Sequence, residues 1–241
     1  PPMRRSNLVG SIIRLPEIYT GVGAGLAPDL YRAAVAHAGA HLAFGGPRFA
    51  VGKYKPLAIA LISLLEDARV ETLAIRSMPG LRRLWLPFHT ACPAEGMSNA
   101  ASLMARLARA LIDPAYEDAD YWVAKGRSLF ADAAPRMNDP MISHELGQIL
   151  GRDLGQMRVG LNAKDYVAEP AYRDDTLGLW DFGDRADATP AEIDVHVDAV
   201  RLDRREEERA PEQDDEPPER QDVGRARGAP PSDRAPVIAT Y

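Results

Sequence analysis

The stretch from Pro56 to Arg76, PLAIALISLLEDARVETLAIR, constrains this chain more than any other. Proline at its first position suits the first turn of a helix, and the run continues unbroken until SMPG at residues 77 to 80. At 100° per residue, Leu57, Leu61, Leu64, Ala68 and Ile75 form one stripe. Ile59, Ile62, Val70 and Leu73 lie on the other side. A helix that is apolar nearly all round is enclosed by other helices rather than laid on a surface. It nevertheless carries Glu66, Asp67, Arg69 and Glu71, and Glu71 falls within the main stripe. Unpaired buried charge is costly, so these four side chains are expected to form a buried polar network.

The flanking segments read as further helices. One runs from about Asp29 to Phe44 and stops at Gly45-Gly46. Ser98 is placed to cap SNAASLMARLARALI, which ends at Asp113-Pro114, and Asp118 to cap a segment reaching Asp132. Asp139-Pro140 opens PMISHELGQILGRDLGQMRVGL, a helical pattern despite its glycines. No strand-like alternation of useful length occurs before residue 163. The expected fold is all-α, a multi-helix bundle. The expected organisation is an N-terminal arm (1–27), a helical domain (28–165), a peripheral segment (166–186) and a charged, proline-rich linker (187–241).

Charge supports the last boundary. From Asp187 to Tyr241 there are 15 acidic and 8 basic residues, net −7, which leaves 20 acidic and 21 basic residues, net +1, before it. A segment such as RLDRREEERAPEQDDEPPERQDVGRARGAPPSDRAP has too little apolar surface to offset its ordering entropy, so a disordered linker is expected. The closing PVIATY reads as the start of a further ordered element. No clustered basic excess marks a nucleic-acid partner. The most apolar window, PLAIALISLL, is about half the length that crosses a bilayer, so no membrane insertion is expected. A lone cysteine, Cys92, and the lack of an apolar leader behind Arg4-Arg5 fit a cytoplasmic protein.

The first helix holds the clearest candidate chemistry. In HAGAH, His37 and His41 lie one turn apart on the inward stripe with Leu30, Ala34 and Phe44. With the inward Glu71 they supply three ligands for a tetrahedral divalent metal. The simpler reading is that the imidazoles hydrogen-bond to Glu66, Asp67 or Glu71 without a metal. Peptidase chemistry is disfavoured, because Ala38 stands where a His-Glu-x-x-His motif carries its general base. His144-Glu145 lacks a second histidine at Gln148, and Cys92 with His89 reads as a loop thiol. GVGAG (21–25) lacks the lysine and hydroxyl of a phosphate loop, and Arg106 and Arg109 read as a solvated helix face.

Three phrases together resemble one family. LYRAAVAHAGAHLAFGG, KPLAIALISLLEDARVETLAIRSMPGLRRLWLPFH and RLARALIDPAYEDADYWVAKGRSLF are similar to the N-terminal region of NorD, the nitric-oxide reductase activation protein, and of its relative CbbO in rubisco activation. The likeness covers roughly residues 14 to 132, with EDARVE followed by PGLRRLW as its most specific part, and extends more loosely to the cobaltochelatase subunit CobT. It implies a non-enzymatic, chaperone-like adaptor rather than a catalyst. Such proteins pair with a MoxR-type AAA+ ATPase (NorQ- or CbbQ-like) and activate or load metal into a target metalloenzyme, nitric-oxide reductase in denitrification or rubisco. They end in a von Willebrand factor A domain whose Asp-x-Ser-x-Ser motif binds a divalent cation, and this sequence contains no such motif. The linker is then expected to lead to a missing domain of that kind. The resemblance also implies a distantly zincin-like helical core, in which only His37 and His41 match and the base position does not.

Overall fold

A computed structural model describes residues 5–19, 25–52, 54–93, 99–157, 159, 161 and 169–183. Ser98, most of GVGAG and the expected linker at 187–241 lie outside these residues. The described chain is mostly helical. Its elements in order are β1 (Asn7–Val9), β2 (Ile12–Arg14), α1 (Ala27–Phe44), β3 (Phe49–Ala50), α2 (Pro56–Ser77), α3 (Gly80–Trp85), α4 (Ala100–Ile112), α5 (Tyr121–Asp132), α6 (Met141–Gln156) and β4 (Trp180–Asp181).

Helix α2 is the centre of the fold, as its apolar pattern requires. Every residue from Leu61 to Ile75 except Thr72 is buried. On one side Leu61, Leu64, Leu65 and Ala68 join Leu103, Met104 and Leu107 of α4, Trp122 and Phe130 of α5, and Leu150 of α6. On the other, Val70, Ala74 and Ile75 meet Leu30, Ala33 and Ala34 of α1, Trp85 of α3, and Tyr172. Two apolar clusters therefore share one helix as their common wall. Each large side chain so buried contributes on the order of 2 kcal/mol of transfer free energy.

The break after α2 is shorter than SMPG implies. Met78 alone leaves helical geometry (φ −136°, ψ 83°), and Pro79 is the N-cap of α3, a helix to which the sequence pattern assigns no element. Helix α1 stops at Gly45, whose φ of −62° is extended rather than left-handed. The glycine pair serves close approach instead. A Cβ on Gly45 would stand 2.4 Å from His41 O, and one on Gly46 would stand 2.3 Å from Pro140 Cγ.

Helix α4 is capped by Asn99, whose Oδ1 accepts from Ser102 N at 2.8 Å. Helix α5 is capped by Asp120, which accepts from Trp122 N, and not by Asp118. Asp118 is held elsewhere, by the Arg106 guanidinium and the Tyr116 hydroxyl. Arg106, read from sequence as solvated, is 5% exposed because of this pair. Burial alone would raise the Asp118 carboxyl, but the hydrogen bonds from Arg106 and Tyr116 outweigh it and bring it down to about 2. A depressed carboxylate stabilises the fold above its ordinary value of 3.8 and loses that contribution as pH falls toward its folded value. The unfolding free energy from urea titration should therefore drop between about pH 4 and pH 2, by roughly 1 kcal/mol after allowing for screening near the surface. Asp118→Asn should flatten that part of the profile, and an unchanged acid limb in the variant would refute the assignment.

Helix α6 begins at Met141, with Asp139 Oδ1 accepting from Met141 N at 3.0 Å. Its glycines allow it to lie close against α2. A Cβ on Gly147 would meet Ile62 Cγ1 at 2.6 Å and the Ile62 backbone at 3.0 Å, whereas one on Gly155 meets nothing within 4 Å. Gly147→Ala should cost about 1 to 2 kcal/mol, because overpacking exceeds the gain in helix propensity. Gly155→Ala should instead gain up to about 1 kcal/mol. Chemical denaturation of the two variants side by side checks both signs.

The two small sheets were not expected. β1 and β2 form an antiparallel ribbon, with Asn7 opposite Arg14 and Gly10 at φ +58° in its turn. β3 and β4 pair in parallel, Phe49 opposite Trp180. The first fastens the late segment 169–183 to the N-terminal ribbon, and the second fastens it to α2. Asp175 N donates to Ser6 O at 3.0 Å beside β1. At the other end, Trp180 packs on Phe49 and Ile62, and its indole N–H donates to Ser63 Oγ at 3.0 Å. Expected at the periphery, the described part of this segment carries Tyr172, Arg173 and Trp180, each no more than 2% exposed.

Candidate functional site

Three elements converge beside the middle of α2. Helix α1 supplies His37 and His41, whose rings meet edge to face with centroids 4.7 Å apart. Helix α2 supplies Asp67 and Glu71, one turn apart on the facing side. The segment held between the two small sheets supplies Tyr172, Arg173 and Asp174. None of these seven side chains belongs to a residue more than 7% exposed.

Their geometry is specific. His41 Nε2 lies 3.1 Å from Asp67 Oδ1, and His37 Nε2 lies 3.8 Å from the same oxygen. His37 Nδ1 stands 3.1 Å from Glu71 Oε1, an ion-pair distance, yet outside hydrogen-bonding geometry. Neither ring nitrogen of His37 makes a hydrogen bond among the described residues, and neither does His41 Nδ1. Glu71, by contrast, is fully engaged. Arg173 donates to both its oxygens, Nε to Oε1 at 3.1 Å and Nη2 to Oε2 at 2.8 Å, and Tyr172 OH donates to Oε1 at 3.0 Å. Arg173 Nη1 also lies 3.7 Å from Asp67 Oδ2. His89 Nε2 is 2.9 Å from the Tyr172 hydroxyl oxygen. That hydroxyl gives its proton to Glu71, so the bond runs from His89 Nε2–H to Tyr172.

Burial and neighbouring charge together set the protonation of these groups. Burial would raise the Glu71 carboxyl, but Arg173 beside it holds it well below the usual carboxylate range. Burial would lower the His41 imidazole, and the Asp67 hydrogen bond overcomes this and raises it. Burial, with Arg173 nearby, depresses His89 to about 3, so it stays neutral. Compared with protein-family models, with curated proteins and with solved structures, the chain matches none.

The rest of the buried network is a separate, closed unit. Arg69 Nε and Nη2 donate to Glu66 at 2.7 and 2.6 Å, and Ser143 Oγ donates to Glu66 Oε2 at 2.7 Å. Arg69 also donates to Met137 O at 2.8 Å and to Phe44 O at 2.7 Å. It thereby stitches the end of α1 and the turn before α6 onto α2.

Of the residues singled out in the sequence, His37, His41 and Glu71 do come together, but Glu71 is committed to Arg173 and Tyr172. Asp67 is the carboxylate that faces both histidines, and Asp174 joins it. One donor atom each from His37, His41, Asp67 and Asp174 lies within 4.8 Å of every other. Tyr172, Arg173 and Asp174 were missed. One signal for them existed: a buried helix with three carboxylates and a single guanidinium requires a cation from another element. Ala38, 1% exposed, occupies the position after His37 and supplies no base. His144 belongs elsewhere, with Tyr54 and Gln148. Cys92 is exposed, while His89 turns inward to Tyr172, so the two form no nucleophile–base pair.

Proposed function

We propose that this chain is the helical module of a non-enzymatic adaptor of the NorD type, acting in the cytoplasm with a MoxR-type AAA+ ATPase to activate or assemble a metalloenzyme. The observation that carries the reading is the state of EDARVE. All six residues, Glu66 to Glu71, are at most 3% exposed, and each charge in the phrase has its own partner. A buried, individually paired charged hexapeptide is held by the fold around it, and this supports reading the likeness as more than a surface coincidence.

The adaptor reading also accounts for the histidines. On this reading α1 against α2 is a distantly zincin-like core, and Ala38 stands where a His-Glu-x-x-His motif carries its general base. The ligand side chains are enclosed among the described residues, whereas a catalytic metal keeps a coordination position open to substrate. No helix of the described residues is long and apolar enough to cross a membrane. Nitric-oxide reductase is the first choice of target, and rubisco, through a CbbO-type role, is the second.

Retention on an immobilised MoxR-type ATPase tests the proposal. The purified chain should be held by the hexamer in at least one nucleotide state, and NorQ- and CbbQ-like ATPases in parallel distinguish the two targets. Failure to bind either ATPase, with ATP, ADP or no nucleotide, overturns docking by this region.

A further inference from the structure

We propose that His37, His41, Asp67 and Asp174 form a buried binding site for one divalent first-row metal ion, with Glu71, Tyr172 and Arg173 as its outer support. This goes beyond the adaptor reading and does not depend on any partner. The first ground is the donor set. Two imidazoles and two carboxylates suit zinc, iron(II) or manganese(II). Four donors held tetrahedrally at about 2.0 to 2.2 Å from one ion stand about 3.3 to 3.6 Å from one another. One donor atom from each residue already lies within 4.8 Å of the others, so an inward movement of about 1 Å closes the site.

The second ground is independent of the cluster's composition. His37 is 0% exposed, and neither ring nitrogen has a hydrogen-bond partner among the described residues. A buried polar atom left without a partner is costly, and native folds keep very few. Its surroundings say what it is waiting for. Nδ1 faces the Glu71 carboxylate at 3.1 Å, and Nε2 faces Asp67 Oδ1 at 3.8 Å. A cation seated between Nε2 and that oxygen would give both a partner. A metal-bound histidine typically has its second ring nitrogen against a carboxylate in this manner.

Charge points the same way. Asp67, Glu71 and Asp174 bring three negative charges to the cluster, and Arg173 brings one positive charge. Glu66 and Arg69, on the same helix, neutralise each other. With neutral imidazoles the enclosed site is two positive charges short, the charge of one divalent ion. The outer groups complete the design. Arg173 and Tyr172 lock the Glu71 carboxylate, and His89 locks the Tyr172 hydroxyl, so the carboxylate facing His37 is held by a chain that runs to His89.

Cobalt(II) is the probe, because its visible ligand-field spectrum reports nitrogen and oxygen coordination directly. The full chain, stripped with chelator and dialysed, should bind one equivalent and develop that spectrum. His37→Gln and Asp174→Asn should each weaken binding at least about a hundredfold, while Glu145→Gln, an exposed change on α6, should leave it unaltered. Circular dichroism establishes whether each variant is folded. Should either unfold, proton NMR of the unsubstituted chain decides: cobalt must shift the ring protons of His37 and His41 far outside their normal range. Binding that persists in both folded variants, histidine resonances that do not move, or no binding at millimolar cobalt overturns the proposal.

Discussion

Arg69→Met should lower the unfolding free energy by about 3 to 5 kcal/mol, among the largest losses any single substitution in this chain produces. The guanidinium makes two hydrogen bonds to Glu66 and one each to Met137 O and Phe44 O. Methionine nearly fills the volume, so little of the loss comes from a cavity. The cost lies in what stays behind. Glu66, 1% exposed, becomes a buried carboxylate whose remaining described partner is Ser143, and two carbonyls lose their donor. The same logic fixes a second outcome. Glu66→Leu combined with Arg69→Met removes both charges and should recover most of the loss, since buried ion pairs are often replaceable as a unit. Urea unfolding monitored by circular dichroism measures both. A single-variant loss under about 1 kcal/mol would show that the pair is solvated.

Arg173→Met should cost about as much, roughly 3 to 5 kcal/mol, although the residue lies outside all six helices. Arg173 is 1% exposed and neutralises Glu71 while lying 3.7 Å from Asp67. Its removal leaves two carboxylates of one helix face without a guanidinium. A residue merely resting on the helices would give a loss within about 0.5 kcal/mol. The contrast makes the measurement decisive for whether segment 169–183 is part of the core. Tyr172→Phe is the milder companion. It keeps the ring stacked on Trp85, 5.9 Å away, and deletes only the hydroxyl between His89 and Glu71, for about 1 to 2 kcal/mol.

What could be read in the sequence followed from local periodicity. Helix α2 announced its burial because apolar residues cover its whole circumference, and the inward turn of His37 and His41 followed from one stripe on α1. The need for a polar network followed from charge on a buried helix. What could not be read was pairing across distance. Two- and three-residue strands have no period to detect, so β1 to β4 were invisible. Asp120 and Asp118 are both plausible caps by spacing, and only the approach of Arg106 decides between them. Arg106 itself looked solvated because its partner sits on a loop beyond the end of its helix. The choice of Asp67 over Glu71 as the carboxylate facing both histidines depended on Arg173, about a hundred residues away in sequence.

That separation has a consequence for how the molecule is made. Tyr172 meets Glu71 across 101 positions of chain, and Arg173 meets it across 102. Helices α1 and α2 are sequence neighbours and can pair quickly, but closing so long a loop is slow and adds nothing until it is complete. A nascent chain therefore carries its histidines and carboxylates in partial register, two elements present and the third still unplaced. The cluster should therefore reach its final form only after residues 169 to 183 have been synthesised and docked.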